Sequence, residues 1–338
     1  MFRKLSFLTV FCILGFGLVF AGGQTSATQG GTTEGPIVLS FGELNPDGHP
    51  MADAAYEFAR LVNEKSNGSI TIEVFPAGQL GDERTQIQNL QIGAQDIFRA
   101  NANSMGDFGA TKSNLFSLPF IFRNREHIWN VLNGEIGDEI LADVEQSDSQ
   151  LVALGFLEEG ARSFFFTNKL VQSVEDMRGL KIRVPQTQIL LDTVAAFGAS
   201  PTPIAYSELY SALQTGVVDG AENPPTGYLS NSFYEVAPYY TLNEHIYSPS
   251  IMIMSESRWN SLSANQKSIL QEAADEVRNF NRAQAAQRDE EALAELRAKG
   301  VEIVEIQDKG PWQAMVQPVY ERYGADFIDL ISQIQAVR

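Results

Sequence analysis

From Ser263 to Lys299 the sequence runs without a glycine or a proline and is dominated by Ala, Glu, Gln, Arg and Leu, residues that lose little on entering a helix. Ser263 and Gln266 make the Ser-x-x-Gln pattern of a capping box, and Gly300 supplies a stop. A single helix here would reach roughly 50 Å at about 1.5 Å per residue, more than one lobe of such a chain needs. Two helices broken at the polar, Ala-rich 279–287 would suit a smaller body. The run of good helix formers predicts one continuous helix spanning two lobes.

The rest of the chain alternates between two periods. Ile37 to Phe41 reads as a strand and Met51 to Asn67 as a helix with Ala55, Phe58, Ala59 and Val62 on one face. Ser69 to Phe75 alternates Ile70, Ile72 and Val74, again a strand. A second unit follows, with a helix over Asp82 to Ile92 and a strand near Gln95 to Ala100. Further on, Leu151 to Phe156 and Phe164 to Thr167 read as strands around Glu158-Glu159-Gly160, where the chain is expected to cross between lobes. Leu180 to Val184 is a strand stopped by Pro185, Gln188 to Phe197 a helix, and Ser248 to Met254 a returning strand. Ser207 to Thr215 and Ser232 to Val236 read as helical. This alternation predicts an α/β fold with largely parallel sheets and a site beyond the strands' carboxyl ends.

Arg3 and Lys4 precede an uncharged run from Leu5 to Phe20, and Val19-Phe20-Ala21 fits a signal-peptidase site. The run contains Gly15 and Gly17 and falls short of the roughly 20 apolar residues of a membrane span. A cleaved signal over 1–21 and a Gly/Ser/Thr-rich linker over 22–35 are expected. Cys12, the only cysteine, falls inside the signal, so the mature chain would carry no thiol for catalysis or metal binding.

The formal net charge of −18 and the lack of any Lys/Arg cluster beyond pairs such as Arg123 and Arg125 argue against a nucleic-acid partner. Three histidines, His49, His127 and His245, have no ligand spacing, and no nucleophile-elbow, P-loop or zincin motif occurs. No metal, no cofactor and no catalytic residues are expected. Carboxylate pairs such as Glu158-Glu159 and Asp82-Glu83 read as solvated surface, which leaves little for an enzyme acting on acidic sugars.

The positive signal is arginine. Arg183 stands in Gly179-Leu180-Lys181-Ile182-Arg183-Val184-Pro185, at a strand end where a planar guanidinium could meet a carboxylate; an ion-paired surface arginine is the plain alternative. Arg162, next to the crossover, admits the same two readings. In Val218-Asp219-Gly220-Ala221-Glu222-Asn223-Pro224-Pro225 the prolines bias Asn223 to an extended backbone, as they would in a simple turn.

Four segments carry a resemblance: Gly78 to Arg84 (GQLGDER), Gly179 to Pro185 (GLKIRVP), Pro203 to Gly216 (PIAYSELYSALQTG) and Val218 to Asn223 (VDGAEN). In order and spacing, over about Pro36 to the C-terminus, the chain resembles the DctP-type receptors of tripartite (TRAP) transporters. The resemblance implies a two-lobed clamshell that closes by a hinge on a small carboxylate-bearing solute. It implies a periplasmic location, partnership with the small and large membrane subunits, a monomer, and no enzyme activity. Matching positions make Arg183 the bidentate carboxylate anchor, Arg162 a second arginine, Asn223 an orienting amide and Tyr206 a packing aromatic. Glu83, Asn101, Gln86 and His49 would serve hydroxyls.

Lobe 1 is expected over 36–158 with 249–287, and lobe 2 over 159–248 with 288–338. The segment Ala221 to His245 looks most like receptors for hexuronates, although Pro224 stands where those relatives usually carry an asparagine. A C4-dicarboxylate, a 2-oxo acid or an aromatic acid is the alternative cargo, and a sensory role the alternative to transport.

Overall fold

The structure, a computed structural model, describes residues Pro36–Arg338. The expected signal, its cysteine and the linker over 1–35 lie outside the described residues. β1 (Ile37–Gly42) and β2 (Ile70–Phe75) run parallel on either side of α1 (Pro50–Lys65) in the chain, Leu39 opposite Ile72. Met51, Ala54, Ala55, Phe58, Leu61 and Val62 form the buried stripe of α1 at helical spacing. α2 (Glu83–Gln91) starts at Asp82, whose carboxylate accepts from the Thr85 N–H at 2.8 Å, and leads to β3 (Ile97–Asn101). Two 3-10 stretches, Ala102–Phe108 and Thr111–Ser117, precede α3 (Arg125–Leu132), α4 (Glu135–Gln146) and β4 (Leu151–Leu157).

The chain continues through β5 (Ala161–Phe166), β6 (Lys181–Val184), α5 (Gln188–Ala196), β7 (Ser200–Pro203) and α6 (Leu209–Gln214). Then come β8 (Gly220–Asn223), α7 (Pro225–Ser230), β9 (Tyr239–Tyr247), β10 (Ser250–Ser255), α8 (Glu256–Ser261) and the long α9 (Ala264–Ala298). β11 (Glu302–Glu305), α10 (Gly310–Met315), α11 (Gln317–Tyr323) and α12 (Ile328–Ala336) end it.

The strands make two sheets, ordered β2-β1-β3-β10-β4 and β11-β9-β5-β8-β6-β7. The expectation of largely parallel sheets is corrected, since β10 is antiparallel to β3 and β4, and β5 to β8 and β9. The cause is a double crossing between sheets. β4 passes into β5 through 158–160 and β9 returns into β10, so Leu157 pairs with Ser250 in one sheet and Ala161 with Tyr247 in the other. Gly160, at φ +101°, lies in this crossover, where a β-carbon would come within 2.9 Å of the Asp289 carboxylate.

β5 feeds two apolar clusters by strict alternation. Phe164 and Phe166 pack with Ile182, Phe197 and Trp312, whereas Phe165 packs on the opposite face with Tyr228, Phe233 and Tyr240. Each buried ring stabilises the fold by about 1.5–3 kcal/mol. α9 is unbroken, and both hydrogen bonds of the Ser263–Gln266 capping box are present. Its Leu270, Ala273, Ala274 and Val277 fill the cluster over the first sheet, and Leu296 joins the cluster of the second. Between them Asn281 accepts from the Glu158 N–H at 2.6 Å and donates to the Glu158 carbonyl at 3.3 Å. The long helix therefore spans both lobes and grips the crossover midway.

Candidate functional site

Three neighbouring strands of the second sheet, β5, β8 and β6, each bring one polar side chain toward the cleft between the sheets: Arg162, Asn223 and Arg183. Pro185 ends β6, and Arg183, unlike exposed Lys181, is buried. Its Nε donates to the Ile204 carbonyl at 2.9 Å, while its Nη1 is buried with no hydrogen-bond partner among the described residues. The guanidinium lies 5.6 Å from the Tyr206 ring centre. Burial pushes its pKa down to about 10, with Glu222 opposing the fall and Arg162 adding to it. A buried guanidinium with an orphaned donor is costly unless an anion completes it.

Arg162 already has a carboxylate partner. Its Nε and Nη2 both meet the Glu222 carboxylate, the latter at 3.0 Å. Burial alone would lower its pKa, but the Glu222 charge and hydrogen bonds together with the Glu159 charge hold it above the ordinary arginine value. The Asn223 side chain donates to the Tyr206 hydroxyl at 3.2 Å, and the Asn223 backbone carbonyl accepts from the Tyr240 hydroxyl at 2.8 Å. Gly227 makes this possible, because a β-carbon there would fall 2.0 Å from Asn223 Oδ1. Asn231 also donates to Tyr206, at 2.9 Å, and reaches Asn45 Oδ1 at 3.5 Å.

From the first sheet comes Arg99 on β3, bound to Glu43 through Nε at 2.8 Å and Nη2 at 2.5 Å. Burial would raise the Glu43 pKa, yet Arg99 brings it below the usual carboxylate range. Both the backbone and the side-chain N–H groups of Asn45 donate to the same carboxylate at 2.8 Å. Glu83, first residue of α2, accepts from the Asn101 backbone at 2.7 Å and its side-chain amide at 2.9 Å.

Glu159, in the crossover, closes the set. Its Oε1 lies 3.6 Å from Arg99 Nη1 and 4.0 Å from Arg162 Nη1, and its Oε2 accepts from Ser250 at 3.2 Å. Burial raises its pKa, Arg99 and Arg162 oppose the rise, and Glu83 and Glu43 add to it.

Asn45, Arg99 and Glu159 help line a pocket in the cleft. Arg183, Arg162, Asn223 and Tyr206 face it from one side, and Glu83 and Asn101 from the other. Past Glu83, Pro185 and Tyr206 it adjoins a second pocket. His49 and Gln86 do not line either one. His49 caps α1, its Nδ1 accepting from the Met51 N–H at 3.0 Å, and burial holds its pKa down at about 3. Gln86 donates to the Gly81 carbonyl at 2.8 Å and accepts from Gln95 at 3.0 Å.

Sequence reasoning missed Arg99, Asn45 and Glu159. A lone arginine inside the apolar Ile97-Phe98-Arg99-Ala100 was the available signal for the first. The reading of Glu158-Glu159 as solvated surface is corrected. Both side chains are buried, because the crossover passes between the sheets.

Two mixed sheets joined by paired crossovers, with a buried, incompletely satisfied arginine in the cleft between them, define a two-lobed receptor for a small anionic solute. The sequence matches the family described as Bacterial extracellular solute-binding protein, family 7 (DctP) over residues 41–326. The chain belongs to that family and is a solute receptor of the TRAP class.

It is similar to the TRAP periplasmic solute-binding protein of Pseudomonas putida F1 solved with bound D-glucuronate (37% identity, TM-score 0.86, 89% of this chain and 98% of that one). It is similar also to that of Xanthobacter autotrophicus Py2 solved with β-D-galacturonate (33% identity, TM-score 0.85, 89% and 100%). Among curated relatives, the C4-dicarboxylate-binding periplasmic protein DctP of Rhodobacter capsulatus is 30% identical over 308 residues, covering 89% of this chain and 92% of the relative.

Proposed function

We propose that this protein captures a hexuronate in the interlobe cleft, in the periplasm, and delivers it unaltered to the two membrane subunits of its transporter. The observation that carries this reading is Arg183, which lines the cleft pocket and whose buried Nη1 has no hydrogen-bond partner among the described residues. A carboxylate there completes a bidentate, charge-assisted pair, which is stronger for being shielded from water. The Asn223 amide and the Tyr206 ring lie beside that anchor, while Glu83 and Asn101 offer acceptors and donors to sugar hydroxyls. Solved neighbours holding glucuronate and galacturonate support the same cargo.

In this reading lobe 1 comprises 36–158 with 249–287 and lobe 2 comprises 159–248 with 288–338, hinged at the paired crossovers. The solute docks on one lobe and the other folds over it. A thermal-shift screen of sugar acids tests the proposal, because a ligand at about 100 times its dissociation constant stabilises by about 2.7 kcal/mol. Glucuronate or galacturonate should give the largest shift and be recovered chemically unchanged. No shift with any uronate sinks the reading.

A further inference from the structure

We infer that the cleft accepts a solute with one anionic group only, and that Glu159 is the residue that refuses a second. The inference deepens the hexuronate reading and rests on Arg183 as the carboxylate anchor.

A dicarboxylate needs two cationic seats. Among the described residues lining the pocket between Glu159 and Tyr206 the cations are Arg99, Arg162 and Arg183. Arg183 takes the first carboxylate. Arg99 and Arg162 are each engaged from behind by a carboxylate held within bonding distance of two guanidinium nitrogens, Glu43 and Glu222 respectively. The remaining nitrogen of each is Nη1: that of Arg99 already donates to Ser250 Oγ at 3.2 Å and Asn101 Oδ1 at 3.4 Å, and both Nη1 atoms lie near the same oxygen, Glu159 Oε1, at 3.6 and 4.0 Å. Glu159 thus occupies the place between the two guanidiniums that a second ligand carboxylate would seek. Its backbone is fixed at the crossover and its Oε2 is tied to Ser250.

The charge ledger points the same way. Three guanidiniums meet four carboxylates, Glu43, Glu83, Glu159 and Glu222, before any solute arrives. One ligand carboxylate is tolerable because Arg183 lacks a bonded anion. A second would sit beside Glu159 and Glu83, where like charges brought together cost affinity. Hydroxyls meet the opposite reception, since Glu83 and Glu159 are acceptors with lone pairs to spare. The site therefore selects a polyhydroxy monocarboxylate and rejects the dicarboxylate of the same length.

Calorimetry with D-galacturonate, galactarate and succinate on the wild-type protein and on Glu159→Gln tests this. Galacturonate should bind the wild type at least about 100-fold more tightly than galactarate or succinate, as an uncompensated like charge demands. Glu159→Gln keeps the shape and removes the charge, so it should narrow that gap by about tenfold or more, chiefly by tightening the dianions. Wild-type protein that binds galactarate or succinate as well as galacturonate overturns the inference without help from any variant. So does an unchanged ratio in a folded Glu159→Gln protein. A wild type that binds a different monocarboxylic sugar acid, such as gluconate, and still refuses both dianions removes the hexuronate reading and leaves the one-anion rule standing.

Discussion

Arg162 and Arg183 stand two strands apart in one sheet, and Arg162 is clasped by Glu222 while Arg183 keeps a buried nitrogen without a partner among the described residues. The two arginines should therefore answer mutation differently. Arg183→Ala should weaken uronate binding by at least about 2 kcal/mol, because the ligand carboxylate would be left buried and unpaired. It should not destabilise the unliganded protein, which sheds an unsatisfied buried charge. Arg162→Ala should lower unliganded stability by about 3–5 kcal/mol, since Glu222 would be stranded. Calorimetric affinities together with urea midpoints separate these outcomes, and equal loss of stability in both variants contradicts the assignment.

Gly227→Ala is expected to spare the fold and damage the site. Alanine suits helix α7, but its β-carbon would land on Asn223 Oδ1, the movable end of a side chain. Stability should hold within about 0.5–1 kcal/mol, whereas the displaced amide should cost affinity by about tenfold, the worth of roughly one hydrogen bond to a charged group. A variant with native affinity shows that Asn223 does not touch the ligand.

His49 gives a pH signature. Burial holds its folded pKa at about 3, below the ordinary value of 6.5, so the folded protein keeps it neutral. Its contribution is fully present above pH 6.5 and is lost as pH falls, because the unfolded chain then takes up a proton that the folded one refuses. The loss amounts to roughly 1.4 kcal/mol per pH unit. His49→Asn retains an N-cap acceptor without the titration. Urea unfolding at about pH 7.5 and about pH 4.5 should show wild type losing more stability than His49→Asn, and parallel losses would refute the assignment.

Asn281 joins the long helix to the crossover through both backbone groups of Glu158. Asn281→Leu leaves that N–H and C=O unsatisfied in a buried place and should cost about 1–3 kcal/mol. Hydrogen exchange should show the loss of protection centred on 158–160, and unchanged exchange there argues against a grip on the crossover.

The repeated periods and stops were legible because they are local. α1, α2, α5 and the strands flanking them fall within a few residues of the expected ranges, and Ser263 and Gln266 announced the start of α9 from two side chains. Arg183, Asn223, Tyr206 and Glu83, which line one pocket, could be singled out because they lie in linear motifs. Gln86 and His49 illustrate the converse, since a residue type suited to a ligand cannot reveal that its side chain is already bonded to Gly81 and Gln95, or to Met51.

By itself the sequence determined the α/β character of the chain, the length of α9 and which arginine sits before a strand-ending proline, since helix propensity, period and proline geometry act over a few neighbouring residues. Which cation stays free was decided by tertiary structure alone. Glu43 lies far from Arg99 in the chain, Glu222 far from Arg162, and Glu159 reaches both only because the crossover threads between two sheets. Charge pairing depends on distance in space, and no pattern along the chain encodes which carboxylate arrives first.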